Sequence, residues 1–143
     1  IKGCNKLQGQ YTSGTCSVSQ KAAEAAYTTD QTCVEDMRKA FERRRDLIVT
    51  LAKDIKGLEV NVPEGAFYLF PKCSSFYGKS DGTHTINNST DFALYLLEVA
   101  HVATVGGDAF GDPDCFRMSY ATSDDNIIEA MKRIKVATEK LKF

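Results

Sequence analysis

Between Val34 and Ile55 the apolar residues recur at steps of three and four. Val34, Met37, Phe41, Ile48, Leu51 and Ile55 form one stripe once the aliphatic stem of Arg44 is admitted to the series. This spacing predicts a helix over 30–56, closed by Gly57 as a C-terminal cap. Such a helix is roughly 40 Å long at about 1.5 Å per residue, longer than the small domain it serves, and a helix of that length typically joins two bodies. Ahead of it, "SVSQKAAEAAY" reads as an alanine-rich helix whose Ser17 and Gln20 have capping-box spacing. Behind it the period drops to two. "LEVNV" alternates as a strand, "PEG" turns the chain, and "AFYLF" is a second strand stopped by Pro71. Residues 72–88 are polar and rich in Gly and Ser, a long loop of the kind that is often functional or mobile. "STDFALYLLEVAHVA" is a helix apolar around most of its circumference, "VATV" and "CFRMSYA" are short strands, and a last helix starts at Ser123. The expected fold class is α+β: a small, largely antiparallel sheet packed by helices, with a long N-terminal connecting helix. Residues 1–29 form an arm and residues 30–143 the domain proper.

Composition narrows the function classes. A chain of 143 residues with 43% hydrophobic residues supports a single modest core. Its 18 Lys and Arg against 19 Asp and Glu give a net charge of -1. Nucleic acid and anionic membrane both reward a basic surface, so neither is expected as a partner. No apolar run approaches a membrane span. Five cysteines, at 4, 16, 33, 73 and 115, are scattered without a C-x-x-C pair. Reduced thiols of a cytoplasmic protein account for them better than disulfides or zinc. "IKGCNKLQGQ" contains no apolar signal segment, and "NNST" is read as a helix start rather than a glycosylation site.

Most of the chemistry-bearing residues read as structural. His84 and His101 have no partners at metal-ligand spacing, so no metal site is expected. "GGDAFG" departs from the dinucleotide fingerprint and precedes a strand. "ERRRD", at 42–46, spreads three arginines around a helix and reads as a solvated face. Arg117 stands apart. In "CFRMSYA" the alternation sends Phe116, Met118 and Tyr120 to the core and Cys115, Arg117 and Ser119 to the other face. Its two neighbours on that face are small, and the glycines just upstream let backbone approach closely. A guanidinium in such a hollow suits a carboxylate or phosphate held by two parallel hydrogen bonds.

Together "QGQYTSGTCSVSQKAAEAAY", "MRKAFERRRDLIV", "PEGAFYLFP", "DFALYLLEVAHVATVGGDAFG" and "FRMSYA" resemble the C-terminal part of the class I, fold-type I pyridoxal-phosphate aminotransferases, aspartate aminotransferases in particular. The resemblance runs in order over nearly the whole chain. It implies the small domain of a fold-type I enzyme, with the long helix linking it to a large domain. It further implies that Arg117, the arginine of R-x-S, receives the substrate's α-carboxylate. Phe67 would face the cofactor side of the cleft. Thr12 and Ser13 would approach the dimer interface near the active site. Many relatives carry Asn-Pro after that Thr-Ser, whereas this chain has Gly14-Thr15, so a contact from an Asn is not expected.

The motif of the family's imine-forming lysine, the Asp that pairs with the pyridine nitrogen, and the groups that hold ring and phosphate have no match here. The resemblance therefore implies a fragment that lacks its N-terminal large domain and is inactive alone. It binds no pyridoxal 5'-phosphate itself and has no catalytic residue of its own. The full protein would be a cytoplasmic homodimer acting on amino acids and 2-oxo acids. Two other readings stay open: a paralogous pyridoxal-phosphate enzyme that shares the small domain (an aromatic or prephenate transaminase, or a C–S lyase), and a non-enzymatic module binding a small ligand or a protein through the same arginine.

Overall fold

The computed structural model describes residues 1–12 and 14–143, which divide into two compact units, Ile1–Met37 and Arg38–Phe143. The first holds helix α1 (Lys2–Tyr11), helix α2 (Ser17–Thr28) and the first turns of α3 (Thr32–Lys53). Neither α1 nor α2 buries a residue. The sequence reading has no helix at α1. It also places the α2 cap one residue late: Cys16 is the N-cap, Ser17 is already helical, and the Gln20 side-chain Nε2 donates to the Thr15 carbonyl at 2.7 Å.

The 22-residue helix α3 is one continuous element, about 33 Å long at the standard rise. Its buried stripe is Ile48, Val49, Ala52 and, just past its end, Ile55. Val34 and Met37, which extend the same period toward the N-terminus, are more than half exposed. The helix stops at Lys53 rather than 56. Single turns at Ile55 and Leu58 follow, and Gly57 (φ 102°) takes the left-handed conformation where a Cβ would meet the Phe76 ring.

In the second unit three short strands, β1 (Tyr68–Leu69), β2 (Val105–Gly106) and β3 (Phe116–Ser119), pair antiparallel in the order β1-β3-β2. Register sets Tyr68 opposite Ser119, Leu69 opposite Met118 and Val105 opposite Arg117. Leu69, Phe116 and Met118 face the core beneath helices α4 (Ser89–Ala100) and α5 (Asp124–Glu139). There Phe92 stacks on Phe76 at 5.1 Å and meets Phe116 edge-on at 5.0 Å, while the Tyr95 hydroxyl donates to the Ala137 carbonyl. "LEVNV" is not a strand: only Glu59 pairs, in a single bridge with Lys72. Nor is 72–88 a loose loop. It forms a 3-10 turn at Ser74–Phe76, bridges Ser80 to Lys142, and sends Phe76 and Ile86 into the core.

The capping residues of α4 and α5 are as the sequence suggests, with Asn88 accepting from the Asp91 amide and Ser123 from that of Asn126. Helix α4 is less enclosed than its composition implies, since Leu94 and Leu97 are about half exposed. "ERRRD" is not simply a solvated face. Arg43 grips Asp124 with two hydrogen bonds, at 3.0 and 3.1 Å, and Arg44 adds a third at 3.3 Å, tying α3 to the first turn of α5.

Candidate functional site

The open face of the sheet carries the site. Alternation from the core residue Leu69 turns Tyr68 and Phe70 outward, and alternation from Phe116 and Met118 does the same for Arg117. Cys115 departs from this pattern. It lies ahead of β3, is buried, and its thiol donates to Asp112.

Between β2 and β3 the chain makes a 3-10 turn, Gly107–Phe110, closed by Gly111 in the left-handed conformation. The turn is fixed from below: the buried Ser89 hydroxyl accepts from the Gly107 amide at 3.0 Å. Gly107 admits no side chain, because a Cβ would overlap the carbonyl oxygens of Asp112 and Cys115. This geometry carries the Phe110 ring over Arg117.

The guanidinium is consequently sandwiched. Its central carbon lies 4.1 Å from the Phe110 ring centroid and 4.4 Å from that of Tyr68. Phe70 braces Phe110 edge-on at 6.1 Å. Each ring face attracts the cation and strips water from one side of its plane. Aromatic rings offer no carboxylate or carbonyl acceptor, so the planar N–H edge of the guanidinium is left for another partner. Among the described residues no carboxylate or carbonyl occupies that edge. Asp108 accepts from Thr90 at 3.4 Å, Asp112 from the Asp114 amide, and Asp114 pairs with Lys72 at 3.4 Å. What this arrangement can do is bind a planar anion edge-on in a partly dry setting, where charge-assisted hydrogen bonds are strong.

The other residues singled out from sequence are dispersed. Phe67 is 38% exposed, stacks on Phe41 at 5.8 Å and leans on Tyr68 at 4.6 Å, one ring away from Arg117. Thr12 caps α1 in the first unit, its hydroxyl donating to the Gln8 carbonyl. Ser13 lies outside the described residues. The sequence reading missed Tyr68 and Phe110. The alternation of "AFYLF" and the phenylalanine inside "GDAFG" were the available signals, but they converge on Arg117 only once the β1-β3 pairing is known.

His84 and His101 each have a defined place in the fold. His84 is held between Asp81 (3.2 Å) and Glu98 (3.0 Å), and its pKa is raised, first by the hydrogen bond to Asp81. His101 caps α4 in the left-handed conformation. No helix among the described residues is long and apolar enough to cross a membrane.

The model of the family described as "Aminotransferase class I and II" matches residues 1–134. A bifunctional aspartate aminotransferase and glutamate/aspartate-prephenate aminotransferase of Petunia hybrida is 48% identical over 147 residues, covering 99% of this chain and 30% of that protein. An aspartate aminotransferase of Rhizobium meliloti strain 1021 is 45% identical, covering 99% of this chain and 35% of its own length. The crystal structure of the aspartate aminotransferase from Rhizobium meliloti superposes with a TM-score of 0.86 at 44% identity, over 95% of this chain and 34% of that one. The chain thus spans about a third of the length of the curated relatives it matches. Its α+β fold is the small domain of a fold-type I enzyme, and the chain belongs to the class I and II aminotransferases.

Proposed function

We propose that the chain is the substrate-carboxylate arm of an aspartate-type aminotransferase, with Arg117 binding the α-carboxylate of the amino acid and of the 2-oxo acid. One observation carries this reading: an arginine fixed between Tyr68 and Phe110 with its edge unopposed. A carboxylate on two parallel N–H bonds has both its distance and its plane set, so the Cα–H bond of the substrate is presented in one orientation. Prephenate, in the name of the Petunia relative, has a carboxylate next to its oxo carbon, so the same arm serves that substrate class.

Aminotransferases of this family use pyridoxal phosphate, which supplies the imine chemistry when bound. The residues around Arg117 do not fit that group. It requires a lysine and phosphate donors, whereas the guanidinium touches two rings, Lys72 is paired with Asp114, and Lys79 lies over Phe76 and Phe143. In a chain of the relatives' length those groups would come from a large domain, joined through α3 to a small domain over 30–143, in a cytoplasmic homodimer. Residues 1–29, with Thr12 and Ser13, would approach the dimer interface, and Phe67 would line the cleft.

The test is Arg117→Lys in the holoenzyme carrying this chain. A lysine keeps the charge and loses the fork. Hydrogen bonds to charged groups are worth roughly 1.5–3 kcal/mol, so kcat/KM should fall about tenfold to a hundredfold for every amino acid, at about 1.4 kcal/mol per tenfold. Amines without an α-carboxylate should be nearly unaffected, and the internal imine should still form. An unchanged kcat/KM for aspartate, or a loss traced to missing cofactor, overturns the reading.

A further inference from the structure

Ala66 is in the left-handed conformation, with φ 59°. That region is unfavourable for an alanine, because its Cβ crowds the following carbonyl, and such residues persist only where the surroundings hold them. What holds Ala66 is Tyr120. The buried Tyr120 hydroxyl donates to the Ala66 carbonyl at 3.0 Å, and its backbone amide donates to the next carbonyl, that of Phe67, at 2.9 Å. Two successive carbonyls are therefore gripped by one residue. Burial pushes the Tyr120 pKa up, so the hydroxyl keeps its proton over the working pH range.

The grip reaches the carboxylate arm by a short path. Tyr120 lies three residues after Arg117 and directly follows β3. Phe67 and Tyr68 directly follow Ala66. Phe41 packs under both ends, 5.8 Å from Phe67 and 6.4 Å from Tyr120. Tyr68 is one of the two walls against the guanidinium. Were the turn at Ala66 to relax, β1 would enter the sheet at a different angle and the Tyr68 ring would leave the guanidinium plane.

We infer that Tyr120 is a positioning residue for the carboxylate arm, holding the left-handed turn at Ala66 and, through it, the Tyr68 ring that orients Arg117. This rests on the reading of Arg117 given above. A carboxylate contact made equally in the ground and transition states appears in KM rather than kcat. In the holoenzyme, Tyr120→Phe deletes one hydroxyl and keeps the ring. The KM for aspartate and the inhibition constant of succinate should each rise about threefold to tenfold, the fold-change of one ordinary buried hydrogen bond. kcat should change by less than about twofold, and amines without a carboxylate should show no rise.

Glycine adopts φ 59° without strain, so the loss on Tyr120→Phe, measured against Ala66→Gly alone, should shrink in the Ala66→Gly background. If Tyr120→Phe yields no folded enzyme, Phe41→Leu loosens the same turn from the other side and should raise KM by at least about twofold with kcat retained. Unchanged succinate inhibition, a rise shared by amines, or a loss undiminished by Ala66→Gly each refutes the role of Tyr120. Arg117→Lys measured alongside separates the two readings. If it weakens succinate binding and Tyr120→Phe does not, only the positioning role falls; if it does not, the carboxylate arm falls with it.

Discussion

For Arg117 the first question is why the carboxylates of the segment that leads into β3 do not neutralise it. Asp108, Asp112 and Asp114 all lie within nine residues, yet each is engaged elsewhere, with Thr90, with the Asp114 amide and Cys115, and with Lys72 respectively. A guanidinium already paired with one of them would have no fork left for a substrate. His84 shows the opposite disposition, an ionisable group saturated by its own neighbours. Asp81 and Glu98 hold it from both ring nitrogens and raise its pKa, while the His84 and Thr83 amides lower that of Asp81 to about 2. A raised folded-state pKa contributes stability that is complete below the unfolded value of about 6.5 and is lost as pH rises through the folded value. The Asp81 contribution runs the other way, present above about 4 and lost toward about 2. Urea unfolding of the wild type and of His84→Gln should therefore differ more near pH 5.5 than near pH 8. A gap that is the same at both pH values would show that the charged contact contributes nothing.

Elements with strong periodicity were legible, and those defined by pairing were not. Helices α3, α4 and α5 follow from the 3.6-residue pattern and from the caps Asn88 and Ser123. "LEVNV" has the right alternation but no neighbouring strand beyond one bridge at Glu59, and alternation alone cannot supply a partner. The face of Arg117 was readable from Phe116 and Met118, but its walls were not. Tyr68 arrives by cross-strand register, and Phe110 by a turn whose shape depends on Gly107. The importance of that glycine can be measured directly. Gly107→Ala places a methyl group onto two carbonyl oxygens that are part of the backbone and cannot rotate away. Overpacking costs about 1–3 kcal/mol, and here the turn must move, taking Phe110 with it. Thermal unfolding should register the destabilisation, and succinate inhibition of the holoenzyme should weaken. A fully stable Gly107→Ala variant with normal inhibition would mean that the turn does not fix the Phe110 wall.

At the scale of the whole molecule the two units differ in what can hold them folded. The unit Arg38–Phe143 contains the entire buried apolar core, from Ile48 to Leu141. In Ile1–Met37 no described residue is buried, and its large apolar side chains, from Leu7 and Tyr11 to Val34 and Met37, are all more than half exposed. Helices of 10 and 12 residues lie at or below the roughly 12–15 residues under which an isolated helix is marginal in water. Local hydrogen bonds such as Thr12 to Gln8 and Lys21 to Glu24 are exposed and contribute little against the entropy of ordering the chain. Nothing buried within the unit Ile1–Met37 therefore stabilises α1 and α2, as expected of the arm of a longer enzyme proposed above. Hydrogen exchange on the chain alone should show amides of Lys2–Thr28 exchanging within about tenfold of unfolded-peptide rates, while α4 and α5 are protected by factors approaching global stability. In the holoenzyme the same amides should become protected. If α1 and α2 in the isolated chain exchange as slowly as α4, their helices are self-sufficient, and the dependence of residues 1–29 on a surrounding enzyme is wrong.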